Sequence, residues 1–141
     1  MLHVGLIINF FSLLGAFFAL WKGDTAARWV ALVVIGNLLI GQFAQLFTPA
    51  SNELIRLVND GLTALLILGV TVRYAALWMG GVMLFFAAQF SLHSYYLVME
   101  RATDRLYAQI NNIDFLGVIW CLIFGTAVAW RRRVRAAPNP S

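Results

Sequence analysis

Five long apolar stretches, separated by short polar connections, make up most of the chain. With the charged residues marking the cuts, they cover residues 4–21, 29–47, 54–72, 75–99 and 106–130. Each is near the ~20 residues that a helix rising 1.5 Å per residue needs to cross a hydrocarbon core of about 30 Å. The pattern predicts an all-α, polytopic transmembrane helical bundle of five spans, a single domain over residues 1–130, with a basic tail over 131–141. The third stretch is the weakest, because Arg56, Asn59 and Asp60 fall in its first two turns. A re-entrant third segment, or four spans in all, is the alternative. Five is preferred because residues 61–72 are apolar and the long stretch that follows needs a crossing of its own. Pro49, Ser51 and Asn52 supply the chemistry of a helix start.

Composition agrees with the bilayer and excludes an ordinary soluble domain. Of 141 residues, 62% are hydrophobic and 11% charged, and the mean hydropathy is +0.81. A soluble chain is roughly 45–50% apolar and about 25% charged. The net charge of +4, which in a soluble protein would suggest nucleic acid, reads here as orientation. Lys22, Arg28, Arg73, Arg131, Arg132, Arg133 and Arg135 fall on one side of a five-span threading, and Arg56, Arg101 and Arg105 on the other. The positive-inside rule then expects the C-terminus in the cytoplasm and the N-terminus outside, in the inner membrane of a bacterium. Aromatic belts fit: Trp21, Trp29, Trp78 and Trp130 at cytoplasmic helix ends, Tyr95, Tyr96 and Tyr107 at outer ends. The arginine cluster 131–135 reads as a topology anchor that also suits anionic lipid headgroups, at about 1 kcal/mol per basic residue. No Lys or Arg precedes the first stretch, so the first helix is expected to be retained rather than cleaved. Cys121 lies alone in an apolar run and reads as a small packing residue. No internal repeat stands out.

Polar side chains inside the spans are where function is sought, since each costs free energy unless it finds a partner. They gather into one stripe per helix: Asn9 with Ser12; Asn37 with Gly41 and Gln45; Arg56 with Asp60; Gln89 with His93 and Tyr96; Tyr107 with Asn111 and Asp114. With alternating helix directions nearly all fall in the outer half. Asp114 and Gln89 lie about 12–15 Å below the outer ends of their helices, and Asn37 lies near the midplane. The expected bundle is dry toward the cytoplasm and polar toward the outside. Asp60 is expected to pair with Arg56 one turn away; Asp114 is expected to stay neutral or to pair with His93 or an arginine.

Two intramembrane aspartates, Asp60 and Asp114, could share a proton as in an aspartyl protease, and His3 with His93 could ligate a haem. Zinc lacks ligand spacing, and nucleophilic catalysis lacks a motif. Gly80 and Gly81 lie in an apolar span and suit close helix contact rather than a phosphate loop. The cofactor stays open. The leading expectation is a small, non-enzymatic accessory or partner-binding subunit whose pocket involves Asp60, His93, Asp114, Asn111, Asn37 and Gln89. Its partners would be the lipid bilayer and other membrane subunits or further copies of itself, and not nucleic acid. A small transporter or channel for protons, cations or a small solute, using Asp114, Asp60 and His93, is the alternative; a membrane enzyme or haem protein at the same residues is the third.

Overall fold

The computed structural model describes residues 2–47 and 52–136, and these form five α-helices and no strand. They are α1 (Leu2–Lys22), α2 (Thr25–Phe47), α3 (Asn52–Tyr74), α4 (Leu77–Val98) and α5 (Arg105–Ala136). All five are long and apolar enough to cross a membrane. α3 is continuous for 23 residues through Arg56, Asn59 and Asp60, so the third stretch runs straight rather than turning back. α5 carries on past Trp130 and takes in Arg131, Arg132, Arg133 and Arg135 as helical residues. The helix start at Pro49 and Ser51, the His3 side chain and residues 137–141 lie outside the described residues.

The connections are short because local chemistry stops and restarts the helices within a few residues. After α1, a Cβ on Gly23 would sit 2.2 Å from the Ala19 carbonyl oxygen, so a side chain has no room there. Asp24 then caps α2, its Oδ1 accepting the Ala27 N–H at 2.8 Å. Ala75, with φ 50°, turns the chain between α3 and α4. α4 ends in a Schellman motif. Glu100 takes φ 50°, its N–H donates to Leu97 at 3.2 Å, and the Arg101 N–H donates to Tyr96 at 3.0 Å.

Each helix packs on the next in sequence, and α1 closes against α5, giving a ring of five. Side-chain pairs fix the directions. Gly15 of α1 lies against Ile119 and Ile123 of α5 and Phe18 against Trp130, so these two helices run parallel, whereas Gly81 meets Cys121, Phe85 meets Gly117 and Trp78 meets Gly125 in antiparallel order. Two aromatic rings thus rest directly on glycines of α5, the close approach that small residues permit between membrane helices. Trp78 is taken up in this packing.

One end of the bundle, holding the N-terminal ends of α1, α3 and α5 and the C-terminal ends of α2 and α4, is here termed the polar end. The other is the arginine end. Toward the arginine end the interior is closed and, but for Thr126, apolar among the described residues: Val30, Val34, Ile67, Met79, Val82, Phe86, Val118 and Leu122 have no exposed surface. At its rim Arg133 donates to the carbonyl of Lys22, satisfying an orphan acceptor at the end of α1. The Lys22 ammonium lies over Trp21 at 4.2 Å and over Trp130 at 5.5 Å. The outward faces carry Leu6, Phe10, Phe17, Leu39, Leu65, Leu84 and Trp120, all exposed, as lipid-facing helices do.

Candidate functional site

The polar stripes converge at the polar end around a cavity of about 440 Å³ to which all five helices contribute. Asn9 comes from α1, Asn37 and Gln42 from α2, Asn59 and Asp60 from α3, Gln89 and His93 from α4, and Asn111 and Asn112 from α5. Helical periodicity brings them inward, since residues three or four apart share a face. Gly5 and Gly41 help to leave the space open, because a Cβ on either would meet nothing within 4 Å.

A chain of side-chain hydrogen bonds runs along the wall. Asp60 Oδ2 pairs with His93 Nδ1, and both side chains are 4% exposed. Asp60 Oδ1 accepts from Asn37 Nδ2 at 3.1 Å, and the same amide reaches Thr63 Oγ1 at 3.1 Å. Asn59 Nδ2 donates to the Asn37 carbonyl at 3.0 Å. On the far side of the imidazole, His93 Nε2 meets Asn111 Oδ1 at 3.2 Å, and that oxygen also accepts from Gln89 Nε2 at 3.1 Å. The Tyr107 ring lies alongside the imidazole with centroids 5.3 Å apart.

His93 thus bridges α3 and α5, its Nδ1 on the Asp60 carboxyl and its Nε2 on the Asn111 side-chain oxygen, with the donor at each contact set by the tautomer. Iron or zinc at this ring would have to displace one of these two partners. Among the described residues no group of three His, Cys, Asp or Glu is placed to hold a metal ion.

Asp60 therefore takes its partners from α4 and α2, and Arg56 reaches Gln45 Oε1 on α2 at 3.4 Å. Asp114 is buried, does not line the cavity, and has one carboxyl oxygen without a hydrogen-bond partner. It is Asp60, not Asp114, that holds His93. The two aspartates consequently do not share one open site, as an aspartyl protease would need. Gln89 Oε1 is likewise buried without a partner, on the cavity lining. Of the sequence candidates, Asp60, His93, Asn111, Asn37 and Gln89 come together around the cavity, and Arg131, Arg132, Arg133 and Arg135 stand at the opposite end.

Three contributors escaped the sequence reading. Thr63 lies three residues after Asp60 on the same face, a spacing that could have flagged it. Arg105 lines the mouth from the first position of α5. Asp104 caps α5 through the Tyr107 N–H at 2.8 Å and accepts the Tyr96 hydroxyl at 2.8 Å, fixing α4 to α5 beside the cavity. An Asp just before an apolar helix is the usual signal for such a cap. These two donors, the Tyr107 N–H first, hold the Asp104 carboxyl below the ordinary carboxylate range.

No family model, curated protein or solved structure matches the chain.

Proposed function

We propose that this is a non-enzymatic, multi-pass inner-membrane protein, its N-terminus outside and its C-terminus cytoplasmic, serving as a ligand-receiving accessory subunit of a larger membrane assembly. The observation that carries the reading is the cavity: all five helices line it, its walls carry side-chain amides, the Asp60–His93 pair and two arginines, and the mainly apolar interior toward the arginine end closes beneath it. A blind polar cavity favours holding a ligand over conducting one. The five crossing helices are joined by short connections, which leaves the intramembrane faces as the main surface for partner subunits. Affinity purification of the tagged full chain from native membranes should recover a membrane partner in stoichiometric amount. Elution as a closed homo-oligomer with nothing else bound overturns the accessory role.

A second reading, proton-linked transport of a small solute, is favoured by the buried, half-unpartnered carboxyl of Asp114. Asp114→Asn in reconstituted vesicles should then abolish a proton-linked flux, and an unchanged flux dismisses that role for the residue.

A further inference from the structure

Resting on the cavity as a ligand-receiving site, we propose that its ligand comes from the bilayer: an amphiphile whose hydroxyl-bearing head lies among the carboxamides of the wall and whose apolar chain leaves through a side window between α1 and α2.

The two helices part toward the polar end. They form an antiparallel hairpin about the turn at Gly23, and equal steps outward from it set Ala19 about level with Ala27, Ala16 with Val30 and Ser12 with Val34. All six are fully buried, the close packing that small side chains permit. The next two levels differ. Ile8 with Leu38 and Gly5 with Gly41 are only half-buried, and all four line the cavity. A glycine level with a glycine lets two membrane helices touch, yet here a Cβ on either meets nothing within 4 Å among the described residues. The cavity therefore runs out between α1 and α2, over a stretch roughly 5–14 Å below the polar ends of the two helices by helical rise. Such a gap faces hydrocarbon.

Polarity decides what fits it. Next to the window, Leu6 and Phe10 of α1 and Leu39 and Phe43 of α2 are exposed and apolar, as lipid contact requires. On the cavity side stand Asn9 and Asn37, whose carboxamides both donate and accept hydrogen bonds. A ligand that crosses this boundary is apolar at one end and hydrogen-bonding at the other. Its chain stays in hydrocarbon, while its head gains in the cavity the partners that hydrocarbon denies it. A hydroxyl, which also donates and accepts, matches a carboxamide wall without needing a charge.

Photolabelling tests the route. The purified full chain is reconstituted in phosphatidylcholine nanodiscs doped with a long-chain monoacylglycerol whose glycerol end carries a diazirine, and labelled residues are mapped by mass spectrometry. In the ring of five, α4 stands opposite the α1–α2 edge, and its Gln89 and His93 are only 5% exposed, out of reach of lipid that merely surrounds the bundle. The probe should label Gln89 or His93 in the parent protein, along with the outward Phe10 and Leu39. In Gly5→Leu/Gly41→Leu, whose new side chains fill the window, the inner label should be lost and the outward label kept. Either glycine replaced alone carries the same test if the pair does not fold. An inner label that persists in the filled variants overturns the window. Inner labelling by a water-soluble short-chain ester with the same diazirine, but not by the long-chain probe, overturns the lipid source while leaving a ligand-receiving cavity; no inner label from either probe defeats both.

Discussion

His93 and Asp60, 33 residues apart on α4 and α3, pair with side chains only 4% exposed at the centre of the hydrogen-bonded cavity wall. Such a pair owes its stability to its completeness. Removing one member strands the other as a buried charge, which costs about 3–5 kcal/mol, whereas removing both leaves no charge to strand. Asp60→Asn and His93→Gln should therefore each lower the unfolding midpoint sharply, and the double variant should lose much less than the sum. Additive losses in this double-mutant cycle would mean the two side chains act independently.

Asp104 predicts an acid limb of stability. Its folded carboxyl is held low by the Tyr107 N–H and then the Tyr96 hydroxyl, so the folded state gives up the proton at a lower pH than the unfolded chain does. The resulting stabilisation is fully present above the ordinary carboxylate range and is lost as pH falls through the lowered folded value. Unfolding midpoints followed from about pH 6 down to about pH 2 should fall in the parent protein and fall less in Asp104→Asn. Identical acid limbs in the two would assign the effect to other carboxyls.

The glycine seats of α5 predict a steric dependence. A Cβ on Gly117 would lie 2.4 Å from the Phe85 ring, and one on Gly125 2.3 Å from Trp78. Gly117→Ala should cost about 1–3 kcal/mol by forcing α4 and α5 apart, the range expected for overpacking. Phe85→Ala in the same chain should return part of that loss, because the ring that clashes is gone. A Gly117→Ala protein as stable as its parent would show that the helices separate freely.

Orientation makes a fourth prediction. A reporter active only in the cytoplasm, fused after Ser141, should give signal, and a periplasmic reporter at the same place should not. The reverse result moves the cavity to the cytoplasmic side.

Much of this arrangement was legible because a helix repeats its faces every three or four residues. That periodicity alone places Gln89 with His93, and Tyr107 with Asn111, on shared faces. The five stretches were legible from length and charge alone. What failed to show was pairing across helices. Arg56 stands one turn from Asp60, and local spacing assigned it as the partner; the facing helices bring His93 and Asn37 to the carboxylate instead. Nor could spacing tell that Asp114, on the same stripe as Asn111, turns off the cavity while Asn111 lines it. Arg133 read only as part of the topology anchor, yet the length of α5 also brings it to the end of α1.

That last contact bears on how the protein is made. Of these five helices α1 is made before the others and finds its closing neighbour only in α5, where Arg133 joins it 111 residues after Lys22. Until then α1 can hold only α2, and the fifth wall of the cavity does not exist. A nascent chain of four helices can thread the bilayer and still offer nothing for a ligand to enter. If the cavity receives a ligand as proposed, it can do so only once α5 has been made, so a chain truncated before α5 would be inserted and inert.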